Sequence, residues 1–166
     1  MYTELMTVSY KPADFYRAKD YGAEESVGYL MRRVVNGIAQ GVDRRLESVG
    51  LTNAQWVPLL KLHLGHAATV AELARGCQVD AGAMTRMLDR LEAKALIKRV
   101  RSTADRRVVN IELTADGVQA ARRIPAVLCE VQNAHLAGVS RTEWQALKAT
   151  LQRMIDNSQA LHDAAP

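Results

Sequence analysis

At three points in this chain a Ser or Thr with Glu or Gln three positions on opens an apolar-periodic run: Thr52 with Gln55, Thr69 with Glu72, and Ser140 with Glu143. In that spacing the hydroxyl accepts from the backbone N–H of the third helical residue. The longer side chain reaches back to the N–H of the capping residue, so two donors that a helix start leaves orphaned are both satisfied. The pattern therefore predicts helices beginning at 52, 69 and 140. The first runs to about Gly65 and the second is short, ending near Gly76. Ahead of them Val27, Leu30, Met31, Val34, Val35, Ile38, Val42 and Leu46 recur at three- and four-residue steps, which predicts a long helix from Glu24 to Val49 stopped by a left-handed Gly50. Residues 1–23 have no clean period but carry Tyr2, Tyr10, Phe15, Tyr16 and Tyr21, and they read as an arm that packs on something else, such as a second subunit.

The turn "CQVD" leads from the short helix into another, "DAGAMTRMLDRLEAKA", starting near Asp80. Two short helices joined by a tight turn make a helix-turn-helix. Met84, Met87, Leu88 and Leu91 form the inner stripe of the second helix, while Thr85, Arg86, Asp89 and Arg90 lie on other faces. Ala81 and Gly82 keep its first turn slim, so it can approach base edges in a major groove closely.

Next comes "LIKRVRSTADRRVVNIEL", in which Val109, Ile111 and Leu113 alternate with Asn110 and Glu112, a strand period. With "STAD" as its turn this is a β-hairpin, or wing. From Lys98 to Arg107 it carries Lys98, Arg99, Arg101, Arg106 and Arg107 against the single acid Asp105, within a chain whose net charge is +4. Thr114 then caps a helix that Pro125 is expected to kink or interrupt. A last helix from Ser140 is expected to bury Trp144, Leu147, Leu151, Met154 and Ile155 along one stripe. The stripes outside the winged unit exceed the needs of a small lobe and point to a helical dimer interface.

Nearly half the residues (48%) are apolar, enough for a core without metal or disulfide staples. Cys77 and Cys129 are in no metal-like spacing, and His63, His66, His135 and His162 form no ligand pattern, so neither a metal nor another cofactor is expected. No apolar run approaches the ~20 residues of a membrane span, and the N-terminus lacks the order of a secretion signal. The reading is of a cytoplasmic protein with reduced thiols, without membrane contact.

The partner that fits this pattern is double-stranded DNA, a regular polyanion that needs spaced cations and a part shaped for a groove. Arg86 and Arg90 can reach phosphates or bases, Thr85 a phosphate or thymine methyl, and Arg106 and Arg107 an adjacent minor groove. The alternative for the wing is that Asp105 and Arg107 clamp their own turn.

The segments "GLTNAQW" (50–56), "TVAELA" (69–74), "VDAGAMTRMLDRLEAKALI" (79–97) and "DRRVVNIELTADG" (105–117) occur in the order and spacing of the MarR family of bacterial transcription regulators, which the chain resembles over about residues 25–160. The resemblance implies a mainly α fold with a small β-wing: a winged helix-turn-helix DNA-binding lobe at 51–113, a helical dimerisation region at 24–50 and 114–166, and the N-terminal arm at 1–23. It implies an obligate homodimer on a pseudopalindromic operator, usually a repressor, released by a small ligand. The family's recognition contacts map onto Ala81, Gly82, Thr85, Arg86 and Arg90, its wing pair onto Asp105 and Arg107, and Arg101 and Arg106 complete the candidate DNA contacts. Ala95 stands where the family usually has Gly. A left-handed Ala costs about 1 kcal/mol, so this helix end is expected to be shaped differently.

Many relatives bind aromatic carboxylates or phenols between the dimer helices and the DNA-binding lobe. Candidates for such an effector here are Arg32, Arg33 and Asn36 on the first helix and Trp56, Leu60 and His63 at i, i+4 and i+7 on the next. The bland reading makes Trp56 core and places Arg33 in a surface pair. A redox-responsive regulator acting through Cys77 and Cys129 is one alternative, with Cys77 read as core. A winged-helix module that binds protein is another, although its wing would not need five cations. No Gly-rich loop or nucleophile–base pattern points to an enzyme.

Overall fold

The computed structural model describes residues 12–102, 105 and 108–163, in two compact units that divide between Gly37 and Ile38. In the first unit, single 3-10 turns at Ala18–Asp20 and Ala23–Glu25 lead into α1 (Val27–Leu46). Ser26 accepts from the Tyr29 N–H at 3.3 Å, and the Tyr16 hydroxyl accepts from the Val27 N–H at 2.9 Å. The rings of Tyr16 and Tyr21 meet edge to face, 5.8 Å apart. The apolar stripe of α1 is present here as a helix face but is exposed: Leu30, Val34 and Val35 are 48%, 55% and 62% accessible.

In the second unit Gly41, Val42 and Leu46 of α1 are buried. Gly50, at φ 69°, ends the helical run as expected. Helix α2 (Asn53–His63) starts at Thr52, whose N–H donates to Gln55 Oε1 at 3.2 Å. Helices α3 (Val70–Cys77) and α4 (Ala81–Ala93) form the helix-turn-helix, and β1 (Ile97–Arg101) pairs antiparallel with β2 (Val109–Leu113), Ile97 opposite Leu113 and Arg101 opposite Val109. Helix α5 (Ala115–His135) is capped by Thr114, and α6 (Arg141–Asp163) follows. One apolar cluster joins Leu59, Leu73, Met84, Leu88, Leu91, Ile97, Ile111 and Ile124. Each buried aliphatic side chain contributes roughly 1.5–3 kcal/mol, so the recognition helix and the wing base share one rigid support.

Three expectations are corrected. Pro125 does not interrupt α5, which runs continuously from Ala115 to His135; buried Ala121, Ile124 and Val131 anchor the turns on both sides of it. The stripe of α6 is not buried: Leu147, Met154 and Ile155 are exposed and Trp144 and Leu151 half-buried, because no described element of the chain covers that face. The end of α4 keeps its left-handed residue, with Ala95 at φ 55°, the Ala95 N–H donating to Glu92 O at 2.8 Å and the Leu96 N–H to Leu91 O at 3.0 Å. Those two bonds hold Ala where Gly is preferred. Replacing Ala95 by Gly removes a Cβ strain of about 1–2 kcal/mol against an unfolded-chain entropy of about 0.5–1 kcal/mol. Ala95→Gly is therefore expected to raise the unfolding free energy by a fraction of a kcal/mol, read as a higher denaturant midpoint at unchanged slope; a lower midpoint would contradict this account.

Candidate nucleic-acid interface

The position of the recognition helix follows from its two ends and its inner stripe. Asp80 caps α4, its Oδ1 accepting from the Ala83 N–H at 2.7 Å. Ahead of it, Gln78 closes α3 in the left-handed region, its N–H donating to Arg75 O at 3.2 Å. Met84, Leu88 and Leu91 are fully buried. What remains is the outer face: Ala81, Gly82, Thr85, Arg86 and Arg90 are all exposed on one side of the helix. The Thr85 hydroxyl donates back to Ala81 O at 2.8 Å, which orients its oxygen while leaving it able to accept. Arg86 and Arg90 have no ion-pair partner among the described residues. An uncompensated guanidinium on an exposed face is the kind of charge that a phosphate can displace water from at small cost.

Two cations of the wing serve a different purpose. Arg99 reaches from β1 to α4, its Nη2 on Asp89 Oδ1 at 2.6 Å and its Nη1 on Glu92. Burial works against its charge, but the hydrogen bonds and charges of the two carboxylates outweigh that and hold its pKa above the ordinary value. Lys98 pairs with Glu112 across the hairpin at 3.0 Å. The excess over the hairpin is thus partly neutralised, by Glu112 within it and by Asp89 and Glu92 of α4. Arg101, exposed at the end of β1, has no ion-pair partner among the described residues. Asp105 is exposed, its N–H donating to Ser102 Oγ at 3.3 Å and its carbonyl accepting from Val108 N–H at 2.9 Å. Arg106 and Arg107, and with them the clamp between Asp105 and Arg107, lie outside the described residues.

Sequence reasoning missed how the wing is seated. Ile111 donates its N–H to Ala68 O at 2.7 Å, and Thr69 bridges Asn110 as a one-residue third strand. A single extended residue before a helix leaves no period to read. The same residues are held from the helix side: Ala68 and Thr69 N–H groups donate to Glu72 Oε2 at 2.8 and 3.0 Å. These bonds, with that of the Thr69 hydroxyl, hold the Glu72 carboxyl below the usual carboxylate range. Arg99 was legible as a cation but not as a strut, since its acid partners are seven and ten residues away.

The candidate effector residues fall in both units. Arg32, Arg33 and Asn36 are exposed on α1 in the first. Trp56, Leu60 and His63 are half-buried on α2 in the second, Trp56 and Leu60 packed against the core, and Trp56 Nε1 donates to Asn53 Oδ1 at 3.0 Å. Cys77 is half-buried against the core, as read, and burial pushes its thiol pKa up; Cys129 is exposed on α5. No described helix is long and apolar enough to cross a membrane.

A family model described as the MarR family matches residues 51–109. Among solved structures, the transcriptional regulator PA3341 is 30% identical, with 81% of this chain and 99% of that one aligned at a TM-score of 0.71. S. aureus MepR, solved in complex with DNA, is 26% identical over 80% of this chain and 98% of its own, with a TM-score of 0.73. Bordetella bronchiseptica BpsR, whose structure concerns regulation of DNA binding by 6-hydroxynicotinic acid, is 25% identical over 82% of this chain and 97% of its own, with a TM-score of 0.71.

Proposed function

We propose, from the premise that this chain belongs to the MarR family and is a DNA-binding transcription regulator, that it is a homodimeric repressor of a pseudopalindromic operator, released by a small aromatic carboxylate or phenol. The observation that carries the reading is the exposed face of α4, where Ala81, Gly82 and Thr85 make a slim edge beside Arg86 and Arg90, which have no ion-pair partner among the described residues. In the proposal residues 51–113 are the DNA-binding lobe, with Arg101, Asp105, Arg106 and Arg107 contacting DNA from the wing. Residues 24–50 and 114–166 form the dimerisation region and 1–23 its arm. The exposed apolar side chains of α6, Leu147, Met154 and Ile155, support a second copy as its partner, since a contiguous apolar helix face is unfavourable in water.

For the effector, Arg33 supplies the cation for a carboxylate, with Arg32 and Asn36 beside it on α1, and Trp56, Leu60 and His63 supply the ring contacts. BpsR supports a hydroxylated aromatic acid as the class, because its DNA binding is regulated by one. The test is to sequence the DNA that the protein retains from its own genome and to titrate the recovered fragment. Binding is expected to weaken steeply with salt, by roughly 10³-fold or more between 50 and 200 mM if six or more phosphates are contacted. Salicylate or 6-hydroxynicotinate is expected to release the complex, with the dose response blunted in Arg33→Ala. An unaltered response in that variant removes Arg33 from the site, and a salt-insensitive complex points instead to a protein-binding module.

A further inference from the structure

The start of α2 and the last turns of α4 line a common groove of about 450 Å³, with Thr52, Ala54 and Gln55 on one side and Met87, Arg90 and Lys94 on the other. The two elements also meet through the core, to which Leu51, Leu59, Leu88 and Leu91 all belong. Apolar contact is non-directional, so it holds two helices together without fixing the angle between them. Directional bonds must do that. Among the described residues, the hydrogen bonds that run from α4 to α2 and the joint before it all come from one side chain, that of Lys94.

Lys94 caps the C-terminal end of α4, its backbone N–H donating to Arg90 O at 3.3 Å. Its Nζ donates to Gly50 O at 2.6 Å and to Gln55 Oε1 at 2.9 Å. It has no acid partner among the described residues. Both acceptors are themselves fixed. Gly50 is the left-handed residue at the joint between α1 and α2. Gln55 is 4% exposed, and its Oε1 also accepts from the Thr52 N–H at 3.2 Å. Two donors occupy both lone pairs of that oxygen, which leaves the amide one orientation. Bonds from an ammonium to such oxygens are charge-assisted and stronger than neutral ones. Lys94 thus ties the end of the helix that presents Arg86 and Arg90 to the most constrained corner of the lobe.

We propose that Lys94 is a positioning residue for DNA recognition: it sets the angle of α4 against the joint before α2 and touches no DNA itself. The proposal rests on the reading of the outer face of α4 as the DNA edge. Base readout requires the helix in one pose, because hydrogen bonds to base edges are directional. Binding to unrelated DNA is electrostatic and tolerates many poses. Loss of the tie therefore lowers selectivity rather than general affinity.

The experiment measures the affinity of the full-length protein for the recovered operator fragment and for an unrelated fragment of equal length, each at several salt concentrations. Lys94→Met keeps the stem and drops the ammonium. It is expected to weaken operator binding about tenfold and to leave binding to the unrelated fragment within about twofold of the parent, with unchanged salt slopes. Lys94→Arg retains the charge and several donors and is expected to stay within about threefold of the parent on both fragments. Lys94 is exposed, so these variants leave the core intact. Arg86 and Lys94 stand about two turns apart, roughly 12 Å of rise, and share no partner among the described residues. Independent losses at such a distance would add. With the tie removed, Arg86→Ala is instead expected to cost about threefold less in operator affinity than it does in the parent. Equal weakening on both fragments, or a salt slope shallower by about one, makes Lys94 a phosphate contact and overturns the proposal. Parental operator affinity in Lys94→Met, or strict additivity with Arg86→Ala, overturns it as well. Failure of the α4 reading shows separately, as parental operator affinity in Arg86→Ala; the selectivity of Lys94→Met then decides the positioning role by itself.

Discussion

Gly117→Ala is expected to destabilise the protein by about 3 kcal/mol or more, lowering the melting temperature by roughly 10 °C. A Cβ at Gly117 would stand 1.9 Å from the backbone oxygen of Leu96 and 2.9 Å from its carbonyl carbon. The first turn of α5 is held against that backbone by two bonds from Thr114, which also caps the helix. The Thr114 N–H donates to Leu96 O at 3.1 Å, the Thr114 hydroxyl donates to Ala95 O at 2.6 Å, and the same hydroxyl accepts from the Gly117 N–H at 3.0 Å. A methyl group cannot be accommodated by rotating a side chain, because the obstacle is main chain; either α5 lifts away or the α4–β1 turn gives. Helix propensity alone predicts the opposite sign, a gain of about 1 kcal/mol for Gly→Ala in a helix, so the direction of the change decides between the two effects. Gly28→Ala is the control: nothing lies within 4 Å of its missing Cβ, and that substitution is expected to be neutral or mildly stabilising. If Gly117→Ala melts at or above the parent temperature, the close approach of α5 to Leu96 is wrong.

The second large effect is on DNA rather than on folding. Replacing Arg86 and Arg107 together by Ala is expected to weaken binding to the recovered operator fragment by about 2–6 kcal/mol, from roughly 1–3 kcal/mol for each contact. It should also make the slope of log affinity against log salt shallower by about two. For Arg86→Ala alone, thermal stability is expected to stay within roughly 0.5 kcal/mol of the parent, because Arg86 is exposed and has no ion-pair partner among the described residues. Arg99→Ala separates the two kinds of cation. It leaves Asp89 and Glu92 without their shared partner and unties the wing from α4, so it is expected to cost about 1–2 kcal/mol of stability and to affect DNA binding only through the wing's position. Retention of full operator affinity by the Arg86/Arg107 double variant, measured at more than one salt concentration, would remove these residues from the interface.

The separation of Arg99 from Arg86 marks where reading the chain stopped working. Both are cations in a basic stretch, and composition treats them alike. The helix starts at Thr52, Thr69, Ser140 and Thr114, the inner stripe of α4 and the strand period of β2 were all legible, because each is a regularity within a few residues. So was the exposed edge from Ala81 to Arg90, which is the complement of that stripe. The bridge of Thr69 to Asn110 spans some forty residues with a single pair and left no pattern. The interruption expected at Pro125 and the altered helix end expected at Ala95 are absent for related reasons: the intrinsic cost was read correctly, but buried neighbours on both sides of Pro125 and the backbone bonds that close α4 at Ala95 outweigh it.

The amino-acid sequence by itself therefore determined the elements, their order and which face of each is apolar, since caps, turns and periods are short-range consequences of side-chain chemistry. Only the tertiary structure decided which apolar faces find cover within the chain and which do not, as with the buried stripe of α4 and the exposed stripe of α6. It likewise decided which cations are spent as struts, and that a glycine in the first turn of α5 must stay a glycine. Those outcomes depend on what lies opposite a residue in space, and a backbone carbonyl two ångströms from a missing methyl has no signature along the chain.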